Sequence, residues 1–179
     1  MANTSGRSGV DVAPATAANP SNPCGRVEAL AARLAGGRPA TAVLRAWCEA
    51  HGLGAGPIRA RKRRPLTVPA RDARAAAHLG RDGDLALRRV ALCRGRLLLS
   101  FAELRWRPDR LPADCRHALA NTDRPFGEVI APFAPERRTL AMIRPASRRA
   151  VLVVEAVVLV DARPVAVVHE RYLASLIPA

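Results

Sequence analysis

Residues 150–173 read AVLVVEAVVLVDARPVAVVHERYL, and this stretch decides the fold. Two valine-rich runs, 150–160 and 164–173, flank a short polar turn at 161–163. β-branched residues on both sides of a tight turn predict an antiparallel hairpin. Strands of such hairpins usually alternate between apolar and polar residues. Because these two runs are apolar at nearly every position, we expect both faces of the sheet to be covered, or one face to line a closed cavity.

A second hairpin is predicted upstream, where LALRRVALC (85–93) and RLLLSFAEL (96–104) flank a turn at Arg94-Gly95. Thr41 is the predicted N-cap of a helix that runs to about His51. The remaining predicted elements are strands at 56–64 and 137–144 and helices at 25–35, 70–79 and 112–120. Together they predict an α+β fold, with an antiparallel sheet of about six strands and helices packed on one face.

The first 24 residues are mostly Ala, Ser, Thr, Asn, Pro and Gly, which predicts a disordered tail. Residues 25–179 then predict one domain. The start of the sequence lacks the apolar core of a secretory signal, and no run of 18 apolar residues predicts a membrane span. The four cysteines lack CxxC spacing, so we expect reduced thiols rather than a zinc site. These features predict a cytoplasmic monomer without a membrane partner.

The formal net charge of +14 first suggests nucleic-acid binding. The densest basic run, at 59–64, contains no aromatic residues on which bases would stack. Lys62 is the only lysine among the 29 basic residues, and this excess of arginine with much Ala, Gly and Pro is typical of a GC-rich coding bias. An anionic small molecule explains the arginines at least as well, because the guanidinium group matches a carboxylate. We therefore expect no nucleic-acid partner.

Two charged residues interrupt apolar strands. Arg88 shares a strand face with Val90, and Glu170 shares one with Val168 and Tyr172. A buried charge without a partner is costly, so each needs one. Either the two residues form an internal salt bridge or lie exposed at strand ends, or they mark the two ends of a pocket for an anionic ligand. A third such charge, Glu155, is expected at an exposed rim.

Other chemistries lack support in the sequence. The four histidines show no metal-binding spacing, and His169 is predicted to point away from the face of Glu170. No GxSxG, GxGxxG or P-loop pattern occurs. We therefore expect neither a metal nor a nucleotide cofactor.

Four segments in order resemble the chorismate pyruvate-lyase (chorismate lyase) family. They are GGRPATAVLRAW (36–47), ALRRVALC (86–93), NTDRPFGEVI (121–130) and DARPVAVVHERYL (161–173). The resemblance implies an enzyme that removes pyruvate from chorismate and leaves 4-hydroxybenzoate, without a metal or organic cofactor. It also implies an antiparallel sheet with helical flaps over an enclosed site.

The resemblance also implies roles for individual residues. Arg88 would bind the ring carboxylate of chorismate together with the backbone N–H groups of Ala40 and Phe126. Glu170 would lie near the hydroxyl and the departing enolpyruvyl ether, where it acts as an acid, a base or a positioning group. Chorismate carries a second carboxylate, and the sequence offers five unranked candidate cations for it. These are Arg137, Arg138, Arg144, Arg148 and Arg149.

The segments depart from the family at Phe126, where Leu is usual, and at His169, where Thr is usual. Ala40 is small where the family commonly has a larger residue. These departures leave two alternatives open. One is a lyase that acts on a related chorismate-derived acid. The other is a non-catalytic domain of the same fold that binds an aromatic acid, as a sensor does.

Overall fold

A computed structural model of the chain describes residues 22–63 and 73–178. Within these ranges the chain forms five α-helices and six β-strands. The helices are α1 (Pro23–Ala35), α2 (Ala40–Ala50), α3 (Ala73–Leu79), α4 (Ala113–Asn121) and α5 (Phe126–Val129). The strands are β1 (Ile58–Lys62), β2 (Ala86–Arg94), β3 (Leu97–Trp106), β4 (Glu136–Ile143), β5 (Ala150–Val160) and β6 (Arg163–Leu173).

The six strands form one antiparallel sheet in the order β1-β2-β3-β6-β5-β4. The predicted α+β fold is therefore confirmed, together with both hairpins, β2–β3 and β5–β6. Asp161 and Ala162 form the turn of the second hairpin with φ of 50° and 60°. A two-residue turn with positive φ matches the twist of paired strands, which explains why a hairpin forms here.

Two predicted boundaries were wrong. Residues 22–24 were predicted to be disordered, but Asn22 caps α1, and its Oδ1 accepts a hydrogen bond from the backbone N–H of Gly25 at 2.6 Å. Thr41 is not an N-cap, because α2 already begins at Ala40, after Pro39 in extended conformation. Proline suits this place, since it has no N–H to satisfy. The rest of the predicted tail, and the predicted strand and helix residues at 64 and 70–72, lie outside the described residues.

Helices cover the inner face of the sheet in two groups. The helices α1 and α2 pack on one end of this face through Leu30, Leu44 and the fully buried Trp47. The indole Nε1 of Trp47 donates to the carbonyl of Leu176 at 2.8 Å. The helices α4 and α5 pack on the other end through side chains that include Leu119. Each large apolar side chain buried this way stabilises the fold by roughly 2–3 kcal/mol. The two groups of helices are therefore fixed on the sheet, and a cavity lies between them.

The outer face is covered in part by α3, although helices were predicted on one face; this agrees with the expectation that both faces of the apolar strands are covered. Ala75 and Leu79 of α3 pack against Val157 and Val167, which point away from the inner core. This explains why β5 and β6 are apolar at nearly every position: both of their faces are buried at this end. Among the described residues, no helix is long and apolar enough to cross a membrane.

Candidate functional site

A small apolar cavity lies on the inner face, between the two groups of helices. Its walls come from α2, α5, the segment before β4 and the middle of the sheet. Water-sized spheres can be centred in about 70 Å³ of it. The lining residues are Pro39, Ala40, Thr41, Leu92, Ala102, Leu104, Pro125, Phe126, Gly127, Ile130, Pro135, Arg137, Val158, Val168 and Glu170.

The one carboxylate among these lining residues belongs to Glu170, which is 6% exposed. Its Oε2 accepts hydrogen bonds from Arg137 Nη2 at 2.7 Å and from the Tyr172 hydroxyl at 2.8 Å. Among the described residues, no donor reaches Oε1. A carboxylate with one oxygen held in place and the other available beside an apolar cavity is suited to contact a ligand.

Arg137 is the cation that meets Glu170, and it is 5% exposed. Its Nη1 also donates to the carbonyl of Leu34 at 2.9 Å and to Thr139 Oγ1 at 3.2 Å. It therefore ties β4 to the last turn of α1 as well as to the site. The structure separates it from the other four candidates. Arg138 and Arg144 are exposed in surface ion pairs, and Arg148 and Arg149 line a different concavity.

Two helices begin at the cavity. Pro39 precedes α2 and Pro125 precedes α5, so Ala40 and Phe126 are the first residues of their helices. The first N–H groups of a helix have no partner within it and carry partial positive charge. The two predicted backbone donors, at Ala40 and Phe126, therefore belong to residues that line one cavity with Glu170.

Arg88 lies beside the wall rather than in the lining of the cavity. It is 8% exposed, and its guanidinium donates to the carbonyls of Thr122 and Arg124 at 3.0–3.1 Å. Burial lowers its pKa, and the nearby charge of Asp123 opposes this effect. Among the described residues, no carboxylate lies within ion-pair distance of Arg88, and its buried Nε has no hydrogen-bond partner. Arg88 thus fixes the segment that leads into α5, with a buried charge that no counterion neutralises directly.

Two interpretations of Arg88 and Glu170, a salt bridge between them and exposure at strand ends, are wrong. They neither pair with each other nor lie exposed, because Glu170 pairs with Arg137 instead. The prediction of an exposed rim for the third charge, Glu155, is also wrong: its side chain is only 13% exposed, and it pairs with Arg74 at 3.2 Å on the outer face. His169 lies directly opposite Glu155 on the neighbouring strand, so it points away from the cavity, as predicted.

Among the polar side chains that line the cavity, sequence reasoning did not assign Thr41 to the site and could not rank Arg137. The sequence identifies these two residues as site residues only when α2 and β4 are already known to border the cavity. Among the described residues, no group of His, Cys, Asp or Glu could hold a metal ion. The four cysteines are free thiols, and Cys48, Cys93 and Cys115 are buried.

The cavity is smaller than an aromatic acid. A cavity of about 150 Å³ holds a benzene molecule, whereas this one offers about 70 Å³. A benzoate ring therefore enters only when part of the wall moves outward. The starts of α2 and α5 approach closely at this wall, since a Cβ on Gly127 would lie 3.3 Å from Pro39 Cβ and 3.6 Å from Thr41 Oγ1.

No protein-family model matches this chain. The chain is similar to an uncharacterized protein, y4mC, of Sinorhizobium fredii, with 35% identity over 120 residues. The match covers 62% of this chain and 51% of the relative, so the chain spans about half the length of the curated relative that it matches. The name of that relative states no activity.

Tyr172 provides a test of how tightly the site is closed. Burial, and then the nearby charge of Glu170, raise its pKa well above the usual value of 10. Above pH 10 the unfolded chain releases this proton while the folded chain retains it, so stability falls as the pH rises. We expect the free energy of unfolding to lose up to about 1.4 kcal/mol per pH unit there.

The measurement is urea unfolding between pH 9 and 11, with Tyr172→Phe as the comparison. Because the chain has a single tyrosine, absorbance of tyrosinate follows this group alone. The folded protein should show no tyrosinate until it unfolds. Reversible ionisation near pH 10 in the folded protein would contradict the closed site.

Gly127 provides a test of the contact between the helix starts. Gly127→Ala places a methyl group 3.3 Å from Pro39, closer than nearly all such contacts. We expect a loss of about 1 kcal/mol in the free energy of unfolding, the cost of mild overpacking. Gly36→Ala is the matched control, because its Cβ would meet only carbonyl oxygens at 3.4 Å and beyond. Equal stability of the two variants would show that the helix starts do not press on each other.

Proposed function

We propose that the protein is a chorismate pyruvate-lyase, which converts chorismate to 4-hydroxybenzoate and pyruvate. The observation that carries this proposal is the buried carboxylate of Glu170, held by Arg137 and Tyr172 beside an apolar cavity at which two helices begin. The resemblance of four segments to that family implies roles for Glu170 and for the helix starts at Ala40 and Phe126, which line the same cavity. The charges around the cavity suit a small anionic substrate, and in this proposal its ring enters when part of the wall moves outward.

The reaction needs little from the protein. The bond between the ring carbon and the ether oxygen breaks, the neighbouring carbon that bears the hydroxyl loses its hydrogen, and the ring becomes aromatic. The enolpyruvate released takes up a proton and becomes pyruvate. Aromatisation makes this sequence strongly downhill, so orientation of the substrate and stabilisation of charge at the ether oxygen suffice.

In this proposal Glu170 contacts the reacting end of the substrate through Oε1. Arg137 and Tyr172 fix its orientation through Oε2. A positioned carboxyl group transfers a proton in the transition state as an acid or base, or holds the hydroxyl by a hydrogen bond. Arg137 adds a positive charge at this end, where the pyruvyl carboxylate of chorismate would lie.

The ring carboxylate lies at the other end in this proposal, near the starts of α2 and α5. The N–H groups of Ala40 and Phe126 donate to it, in a dry cavity where such bonds are strong. Arg88 supplies the positive charge. Its side chain is held by the carbonyls of the segment that enters α5. In this proposal it reaches the ligand when that segment moves.

A second candidate function is binding of an aromatic acid without catalysis. The observation that favours it is the ion pair between Glu170 and Arg137, because a carboxylate already neutralised is also a suitable fixed wall. Phe126, where the lyases usually have Leu, favours a third possibility, a lyase for a related chorismate-derived acid. Both share the cavity and differ in what happens to the ligand.

The deciding experiment mixes purified protein with chorismate, and follows the products by liquid chromatography with mass detection and by a coupled pyruvate assay. Equal amounts of pyruvate and 4-hydroxybenzoate above the uncatalysed rate are expected. Pyruvate with another aromatic product would assign the related lyase. Binding of 4-hydroxybenzoate by folded protein, without pyruvate release, would assign the binding function.

Arg88→Ala is expected to abolish pyruvate release, because it removes the charge proposed for the ring carboxylate. The matched control is Arg89→Ala, since Arg89 points to the outer face and pairs with Glu103. Circular dichroism must show folded protein for both variants, because Arg88 also holds two backbone carbonyls. A folded Arg88→Ala protein with full turnover would overturn its assigned role.

A further inference from the structure

A second concavity lies on the outer face, at the end of the sheet that α3 leaves open. We call it the arginine groove. Its floor is apolar and is formed mainly by Leu97, Leu98, Phe101, Val153 and Leu173. Its rim carries Arg96, Arg148, Arg149 and Arg171. It is open to solvent and far larger than the inner cavity, with room for the centres of water-sized spheres in about 920 Å³.

The charge of the groove is one-sided. All four rim arginines are exposed, and no Asp or Glu lies among the lining residues. Among the described residues, none of the four has a carboxylate within ion-pair distance. Some exposed arginines elsewhere are paired, for example Arg59 with Asp123 and Arg138 with Glu136. The groove brings four arginines together beside one apolar surface, with no carboxylate among its lining residues.

The floor brings apolar surface into contact with these charges. Phe101 lies opposite Arg171 across the β3–β6 pair, and Arg171 lies opposite Val153 across the β5–β6 pair. The guanidinium of Arg63 lies over the ring of Phe101 at 4.6 Å from its centroid, which adds a further cation beside the floor. Long apolar surface beside clustered cations fits a ligand with the same two parts.

We propose that the arginine groove binds a single-chain anionic amphiphile. Its alkyl chain lies along the apolar floor, and its phosphate, sulfate or carboxylate head contacts Arg148 and Arg149. Planar anionic head groups and phosphates are matched by guanidinium groups. The proposal concerns the outer face and is independent of the activity proposed for the inner cavity.

Two other anionic partners fit the groove less well. A single-stranded nucleic acid stacks its bases on open aromatic faces, and the ring of Phe101 is covered by Arg63. A flat bilayer surface meets convex protein surface, whereas this floor is recessed between the loop that ends at Arg149 and the β2–β3 turn. A free amphiphile can enter the recess with its whole chain.

The experiment is isothermal titration calorimetry of the full chain with decyl phosphate below its micelle concentration. Inorganic phosphate and decyltrimethylammonium are the matched probes for the head alone and for the chain with the opposite charge. We expect decyl phosphate to bind at least about tenfold more tightly than either, because chain burial and head-group pairing both contribute. Octyl phosphate should bind about threefold more weakly than decyl phosphate if the chain lies partly buried on the floor.

Variants then localise the binding. Arg148→Glu with Arg149→Glu reverses two exposed rim charges and should weaken decyl phosphate binding at least about tenfold. Arg81→Glu with Arg163→Glu is the matched control, because it changes the net charge equally with two exposed arginines outside the groove lining. It should change the affinity less than about twofold, since distant surface charges are screened.

Three results would overturn the proposal. Equal binding of inorganic phosphate and decyl phosphate would show a site for the head alone. Equal loss in the groove variant and its control would show a nonspecific charge effect. Tighter binding of a double-stranded oligonucleotide, an acidic peptide or phosphatidylglycerol vesicles, lost in the groove variant, would assign the groove to that partner instead. Pyruvate release by the groove variant is expected to equal that of the unchanged protein.

Discussion

Glu170→Gln is expected to lower the rate of pyruvate release from chorismate by roughly two to four orders of magnitude, the usual contribution of a positioned acid or base. Glutamine keeps the shape of the side chain, and its oxygen can still accept from Arg137 and Tyr172. What it loses is the ability to exchange a proton with the substrate. The initial rate at saturating chorismate measures this loss, because the binding contacts at the other end of the cavity stay unchanged.

Glu155→Gln is the matched control for this variant. Glu155 lies on the neighbouring strand but points to the outer face, where it pairs with Arg74. It should turn over chorismate at the unchanged rate. If Glu170→Gln raises KM and leaves kcat within about threefold, Glu170 positions the substrate and transfers no proton. Unchanged kinetics in a folded Glu170→Gln protein would remove the carboxylate from the mechanism.

Arg137→Met is expected to lower the free energy of unfolding by about 3–5 kcal/mol, because it leaves the buried Glu170 carboxylate without its counterion. Arg137 and Glu170 have side chains only 4% and 8% exposed, so water cannot replace the lost partner. Urea unfolding at neutral pH measures the change. Arg138→Met is the matched control, since the adjacent Arg138 is exposed beside Glu136 and contributes at most about 1 kcal/mol.

The double variant Arg137→Met with Glu170→Gln separates charge from contact. Removing both charges should restore part of the stability, because a neutral buried pair has no uncompensated charge. Restoration stays incomplete, since Arg137 also donates to the carbonyl of Leu34. A double variant no more stable than Arg137→Met would show that Arg137 stabilises the fold through α1 alone. Pyruvate release by the two single variants and the double variant shows whether Arg137 acts on the substrate beyond its effect on Glu170.

The hairpins of this fold were predictable because their signals are local. The turn at 161–163 joins two valine-rich runs, and Gly95 occupies the other turn with a φ of 57°. The order of the strands was not predictable, because apolar periodicity fixes which residues share a face but not which strands are neighbours. The position of α3 on the outer face was not predictable either, because it depends on contacts with Val157 and Val167, which are distant in sequence.

The site was predictable to the same extent. Glu170 stands out because a carboxylate interrupts an apolar strand. Arg137 does not, because it lies in ERRTLAMI, where a register shift between Thr139 and Ala141 breaks the alternation that would mark a buried face. Its pairing with Glu170 also spans β5, so it depends on strand order. The carbonyls of Thr122 and Arg124 that occupy Arg88 belong to backbone, which leaves no mark in the sequence.

The place of β6 has a consequence for how the chain folds. This strand follows the other five along the chain, yet it lies between β3 and β5 and joins the β1–β3 and β4–β5 units. Its pairing with β5 is a local hairpin, whereas its pairing with β3 joins segments distant in sequence. A partly folded chain in which β1–β3 and β4–β6 have formed separately has open edges at β3 and β6, and the walls of the cavity are not yet together. Pairing of strands distant in sequence slows folding, so pairing of β6 with β3 is the expected rate-limiting step. During refolding, ligand binding should then appear in the same kinetic phase as the completed sheet, and not in an earlier phase.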